Sequence, residues 1–376
     1  MKTKNNITVE SPGRINLIGE HIDYNGGFVL PASIDKKITI KLNIIPGDIC
    51  FIESRTVKKN FQLNLKKISK SKIQWENYIL GVLHKLIISK KLKVKAFNCK
   101  IESNLPIGAG ISSSSSLLCG LINGLNYLND LKLSSDEIID IVSDVEHTFI
   151  GLKGGIMDQF TIVHGKKNKL ILLNCQNRNF KYISSNFSPY KIVLLNTKVE
   201  HNLADSSYNN RVEECNEALK IINKKYKKYN YLVDVEEKIL NEFKNTLKEK
   251  IYKRALFVIQ ENKRTLDSAN KISELKFKEF GELMYMSHFG LKNLYEVSCE
   301  ELDFIVDFTL DYKKVIGSRM MGGGFGGCTI NLIKENFLDD FIKLISHAYL
   351  KKFNIELNVI HVNIANGVTI KINNEL

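Results

Sequence analysis

The stretch Gly13-Arg14-Ile15-Asn16-Leu17-Ile18-Gly19-Glu20-His21-Ile22-Asp23-Tyr24-Asn25-Gly26-Gly27 sets Arg14, Glu20, His21 and Asp23 among Ile15, Leu17, Ile18 and Ile22. The isoleucines and leucine favour burial, so the polar groups between them must be satisfied inside the protein or on a ligand. A polyhydroxylated small molecule suits them: carboxylates accept from hydroxyls, histidine can donate or accept, and Gly26-Gly27 let the backbone come close.

Around this segment, residues 7–53 alternate (Ile38, Ile40, Leu42, Ile44) and predict strands with turns at Gly13, Gly26-Gly27 and Pro46-Gly47. Helical spacing follows at 73–91, a strand at 94–103, a buried helix at 112–128, and another helix whose N-cap chemistry begins at Ser134. Short apolar runs at 169–174 and 190–196 predict strands, and helical patterns dominate 209–310. A Gly-rich turn at 322–327 is expected to separate a helix from the strand Cys328–Ile333, with strands returning at 358–364 and 368–372. The pattern is α+β. At 376 residues two domains are expected, 1–190 and 191–376, with the seam near 185–200.

Downstream, Leu105-Pro106-Ile107-Gly108-Ala109-Gly110-Ile111-Ser112-Ser113-Ser114-Ser115-Ser116 runs into the apolar helix. Such a loop offers free backbone N–H groups and the positive end of a helix dipole to an anion. The serines add hydroxyls, one of which could ligate Mg²⁺. No lysine follows the second glycine, so this is not a Walker A loop, and a simple serine cap is the competing explanation. In Gly154-Gly155-Ile156-Met157-Asp158-Gln159-Phe160, an aspartate stands in an apolar setting, where it is costly unless paired, functional or capping a helix. Paired with Arg14, it would stay ionised and the guanidinium could stabilise charge on a γ-phosphate.

Net charge is +13, from 54 basic and 41 acidic residues, but the lysines are scattered and the densest run, Lys220 to Lys228, has helical apolar spacing. No basic stripe carries interleaved stacking aromatics, so nucleic acid is not an expected partner. The seven cysteines are irregularly spaced without C-x-x-C, which fits reduced thiols in a cytoplasmic protein rather than a zinc site or disulfide framework. No stretch nears the roughly 18 apolar residues that span a bilayer, and the N-terminus leads into no apolar core of signal length.

Arg14 to Pro31 closely resembles the galactokinase signature of the GHMP small-molecule kinases. The loop at 105–116 is similar to that family's phosphate loop, with Ile111 where Leu is usual and Ser115 where Ala is common. Met320 to Cys328 resembles the third family motif, with Met321 in place of Thr. The resemblance runs in family order from Ser11 to Cys328 and implies the two-domain GHMP architecture: an S5-like N-terminal domain, a ferredoxin-like C-terminal domain, and the active site in the cleft between them. It implies transfer of the γ-phosphate of ATP to the anomeric C1 hydroxyl of D-galactose, giving α-D-galactose 1-phosphate and ADP in the Leloir pathway of galactose metabolism. By resemblance, Asp158 and Arg14 are the catalytic pair. Glu20, His21, Asp23, Gly155 and Tyr208 bind the sugar, Tyr208 from a segment (203–208) with Ser207 in place of an acidic residue. Gly108, Ala109, Gly110, Ile111, Ser112, Ser113, Ser114 and Trp75 bind the nucleotide, and Ser114 with Glu146 ligates Mg²⁺. A monomer is expected. A kinase of a related sugar, such as N-acetylgalactosamine or arabinose, and a non-catalytic galactose- and ATP-binding sensor are the alternatives.

Overall fold

A computed structural model describes residues 5–106, 108–199 and 206–373. In chain order its strands are β1 (Asn6–Asn16), β2 (Phe28–Val29), β3 (Pro31–Ile44), β4 (Ile49–Ser54), β5 (Lys59–Asn64), β6 (Phe97–Ser103), β7 (Lys169–Asn174), β8 (Phe180–Ser184), β9 (Tyr190–Asn196), β10 (Val315–Met321), β11 (Cys328–Lys334), β12 (Asn358–His361) and β13 (Thr369–Ile372). The helices are α1 (Gln74–Leu83), α2 (Ser113–Asn129), α3 (Ser135–Val145), α4 (Met157–His164), α5 (Ser206–Tyr226), α6 (Glu237–Asn241), α7 (Glu249–Ser273), α8 (Phe277–Gly290), α9 (Glu300–Thr309) and α10 (Leu338–Phe353).

Three sheets result, ordered β13-β1-β3-β6-β4-β5, β10-β11-β9-β12 and β2-β7-β8. Ile7 and Val9 of β1 and Ile38, Ile40 and Leu42 of β3 recur at every second position and face one core. Helix α2 lies on that face at close range. A Cβ on Gly120 would sit 2.8 Å from the Ser11 Cβ, and one on Gly124 would sit 2.4 Å from a Leu42 methyl. This contact fixes where the N-terminus of α2 points. Between Pro12 and Arg14 the β1–β3 register shifts, a bulge that re-aims the Arg14 side chain.

Helix α3 starts at a capping box, in which the Glu137 N–H donates to the Ser134 hydroxyl at 3.3 Å and the Ser134 N–H donates to the Glu137 carboxylate at 3.0 Å. Two features depart from the sequence-based pattern. The segment before the Gly-rich turn is strand β10, not a helix. It is buried on both faces, Ser318 and Arg319 included, so the run shows no polar–apolar period by which to tell strand from helix. The strand expected at 358–364 ends at His361, beyond which Ile364 makes an isolated bridge to Ile34. The expected seam at 190/191 falls at the start of β9, and β13 returns from the far end of the chain to pair antiparallel with β1.

Candidate active site

The end of β1, the loop into α2, the start of α4 and the 322–327 turn converge on a cavity of about 560 Å³. Backbone meets backbone there. A Cβ on Gly322 would lie 3.1 Å from the Gly110 carbonyl, and Gly322 has φ +84°, which favours glycine. The close approach of these two glycine loops is therefore written into their composition.

Arg14, buried after the bulge, grips Asp158 with two parallel bonds, Nε to Oδ1 at 2.8 Å and Nη2 to Oδ2 at 3.0 Å. Its Nη1 donates to the Gly110 carbonyl at 2.5 Å, and its backbone N–H to the Ile111 carbonyl at 3.1 Å. The Ser112 hydroxyl also donates to Asp158. Fork-on-carboxylate geometry is the strong form of this contact, and it ties the phosphate-type loop to the carboxylate. Burial works against the Arg14 charge, but Asp158 and Glu20 outweigh it and raise its pKa.

Glu20 is buried and committed to protein. It accepts from the Gly322 N–H at 2.7 Å and from the Asn16 amide, and pairs with Arg319 at 3.0 Å. Burial, opposed by Arg319, pushes its pKa up to about 7. Both His21 ring nitrogens are also engaged, Nδ1 with the Tyr24 hydroxyl at 2.8 Å and Nε2 with the Gly323 carbonyl at 3.1 Å. Burial drives its pKa down to about 3, so the ring is neutral. Asp23 faces the cavity; burial and then the Asp158 charge push its pKa up to about 6. Gly155 is packed on it, since a Cβ there would lie 2.4 Å from Oδ2 of Asp23. Tyr208 completes this wall with its ring 5.3 Å from that of His21. The preceding part of its motif, 203–205, lies outside the described residues, as does Ile107 of the glycine loop.

Gly108, Ala109, Gly110, Ile111, Ser112, Ser113 and Ser114 all line the cavity. Glu146, on the turn that continues α3, lines it as well, but the hydroxyl that donates to Glu146 is that of Ser115, at 2.6 Å, not Ser114. Burial first, then the Asp158 and Asp23 charges, push the pKa of Glu146 up to about 8. Trp75 does not line the cavity; it packs edge-on against Phe61 at 5.1 Å, while Gln74 and Tyr78 from the same helix reach the lining.

Sequence reasoning missed Arg319 and Tyr24. Arg319 is fully buried and donates to the carbonyls of Leu17 at 2.9 Å and Asn16 at 3.1 Å. Its signal was present: one cation inside the otherwise uncharged run Val315–Met321.

Among the described lining residues, four carboxylates (Glu20, Asp23, Glu146, Asp158) face one cation, Arg14. A site so arranged can hold a polyol against carboxylates on one side and a phosphate chain on backbone N–H groups on the other. The comparisons with known proteins agree. Residues 2–43 match the galactokinase galactose-binding signature, 77–166 the N-terminal domain of GHMP kinases and 271–343 their C-terminal domain. The chain is 38% identical over 362 residues to a galactokinase of Thermosipho africanus, covering 96% of this chain and 99% of that one. It is 41% identical over 354 residues to one of Clostridium tetani, covering 91% and 87%. The structure of Lactococcus lactis galactokinase complexed with galactose superposes with a TM-score of 0.92 at 31% identity, covering 98% of this chain and 95% of that one. A mevalonate kinase structure at 24% identity and a TM-score of 0.64 shares the fold. With signature, both domains and nearly full-length relatives in agreement, the chain belongs to the galactokinase family of the GHMP kinases.

Proposed function

We propose that this ATP-dependent sugar kinase transfers the γ-phosphate of ATP to the C1 hydroxyl of D-galactose, yielding α-D-galactose 1-phosphate. The observation that carries this reading is the bidentate Arg14–Asp158 pair, anchored to the glycine loop and facing the Asp23–Gly155–Tyr208 wall. Asp158 orients the C1 hydroxyl and takes its proton as the P–O bond to ADP opens. In a loose transition state that proton leaves late, so orientation and electrostatics outweigh basicity. Arg14 holds the Asp158 side chain in place through its two bonds and offsets charge developing on the transferred group. Asp23 and Tyr208 read the sugar hydroxyls. Glu20 and His21, whose polar atoms are already bonded to protein, hold the floor of the sugar pocket.

The N–H groups of the 108–114 loop cradle the phosphates at the head of α2. We assign the divalent ion to Glu146 and the neighbouring hydroxyls of Ser114 and Ser115. Their hard oxygen donors fit Mg²⁺, and the carboxylate-rich cavity offers a triphosphate only Arg14 as counter-charge among the described lining residues. When bound, Mg²⁺ would neutralise charge on the β- and γ-phosphates. Adenine we place towards Gln74 and Tyr78, beside Trp75. Residues 1–190 form the sugar- and phosphate-binding domain and 191–376 the second domain, with the last strand returning to the first. The chain acts as a monomer in the cytoplasm, without nucleic-acid or membrane partners.

The test is ADP release over a panel of sugars, with the phosphate position read by NMR. Galactose should be turned over fastest and phosphorylated at C1. Faster turnover of N-acetylgalactosamine or arabinose, or none with galactose, would overturn the assignment.

A further inference from the structure

Behind the sugar wall runs a chain of hydrogen bonds that the reaction itself does not use. It links the Cys215 thiol to the Tyr295 hydroxyl at 3.2 Å, Tyr295 to the Tyr24 hydroxyl at 2.8 Å, Tyr24 to His21 Nδ1 at 2.8 Å, and His21 Nε2 to the Gly323 carbonyl at 3.1 Å. Cys215, Tyr295 and His21 are buried.

The direction of every bond follows from the last one. A carbonyl oxygen can only accept, so Nε2 carries the proton of the neutral ring. Nδ1 is then an acceptor, and the Tyr24 hydroxyl must donate to it. Tyr24 oxygen in turn accepts from Tyr295, whose oxygen accepts from the Cys215 thiol. The protonation states agree: burial keeps the His21 ring neutral and raises the Cys215 pKa to about 11, so its proton stays on. His21 holds a left-handed backbone, φ 63°, which a non-glycine residue adopts at some cost, and the two ring bonds hold it there.

We propose that Tyr24 is a positioning residue: its hydroxyl locks His21 in the Nε2–H tautomer, and that tautomer pins the Gly-rich loop at Gly323 to the sugar-binding turn. The second bond between the same two segments, from the Gly322 N–H to Glu20, lies one residue away. Together they make the floor of the sugar pocket a rigid joint between the first strand and the third motif. Without the Tyr24 hydroxyl, Nδ1 loses its donor and can carry the proton itself. Nε2 would then point a lone pair at the Gly323 carbonyl, and the loop would move off the turn. The functional part of this proposal rests on the cavity being the sugar site; the tautomer does not.

The experiment uses the full-length protein with ¹⁵N-labelled histidine rings and three forms: wild type, Tyr24→Phe and Tyr295→Phe. Wild type should show His21 as the Nε2–H tautomer with an unprotonated, hydrogen-bonded Nδ1. Tyr24→Phe keeps the ring and removes only the hydroxyl. It should populate the other tautomer or broaden the signal, and raise the galactose KM about 3- to 10-fold, the worth of one buried hydrogen bond. kcat should change less than about twofold, because Arg14, Asp158 and the phosphate loop are untouched. Tyr295→Phe removes an outer link and leaves the Tyr24 hydroxyl free to donate, so the tautomer should stay fixed. A wild-type Nδ1–H tautomer would overturn the proposal without reference to any variant. So would a Tyr24→Phe protein whose tautomer is unchanged, or whose tautomer shifts while the galactose KM does not. Failure of the proposed function would appear separately, as wild-type protein with the expected tautomer and no turnover of galactose.

Discussion

Asp158→Asn separates catalysis from folding, and the structure sets both magnitudes. The substitution keeps the shape of the side chain but removes its charge, and it turns one acceptor into an N–H₂ group facing the Arg14 fork. Two bonds of 2.8 and 3.0 Å are affected, along with the one from Ser112. Removing one partner of a fully buried pair costs about 3–5 kcal/mol. The Arg14 side chain is 6% exposed but that of Asp158 is 27% exposed, so solvent screens the pair and about 1–2 kcal/mol is expected. Against a typical stability of about 5–15 kcal/mol, that loss leaves the protein folded. A positioned proton acceptor is worth about 10²–10⁴ in rate, or about 3–5 kcal/mol of barrier. The variant should therefore melt a few degrees lower, bind galactose within about threefold of wild type by calorimetry, and turn over about 10²–10⁴ times more slowly by ADP release. A kcat within tenfold of wild type would remove Asp158 from the chemistry. A galactose affinity that falls in step with kcat would show that Asp158 binds rather than catalyses.

Glu146→Gln should raise the Mg²⁺ concentration for half-maximal rate; an unchanged Mg²⁺ titration would place the ion elsewhere. The same variant reports on stability against pH. Burial lifts the folded-state pKa of Glu146 to about 8, above its unfolded value, so the folded state holds the proton more tightly and ligand-free protein loses stability as pH rises from about 4.5 to about 8. Melting curves of Glu146→Gln should be flatter over that window than those of wild type, and equal slopes would contradict the burial of an ionisable Glu146. Gly155→Ala places a methyl 2.4 Å from Oδ2 of Asp23 and 2.7 Å from the Tyr24 backbone nitrogen. It should raise the galactose KM at least about tenfold while the ATP KM changes little, since the phosphate loop is not contacted; equal changes in both would mean a general collapse of the cleft.

Much of this was legible in the residue order. Alternation in β1 and β3, the glycine loop before an apolar helix, the capping box at Ser134 and the Gly-rich turn each have local causes, and local causes show in sequence. Arg14 and Asp158 were also readable, because a lone charge in apolar surroundings has few explanations. What could not be read is what depends on contact across the fold. Glu20 and His21 both line the cavity, but their bonds to Gly322, Gly323 and Arg319, from the far end of the chain, could not be seen in a linear view. Ser114 and Ser115 are adjacent, and only the rotation of α2 decides which hydroxyl meets Glu146. Strand β10 was misread because burial on both faces erases its period.

The pairing of β1 with β13 has a consequence for how the protein comes into being. Ile7 sits opposite Ile372, and the Asn373 amide donates to the Asn6 side chain at 2.8 Å. Strand β1 thus leaves the ribosome long before β13, the strand that covers that side of its sheet. The contact spans nearly the whole chain, so it adds little local guidance and a large loop-closure term. Until it forms, one edge of β1 presents unpaired backbone groups, an invitation to mispairing with other nascent chains. Arg14, which we propose supports phosphoryl transfer, is carried by that same strand beyond the stretch paired with β13, so a failure of β13 to dock would leave the strand that bears it short of one neighbour.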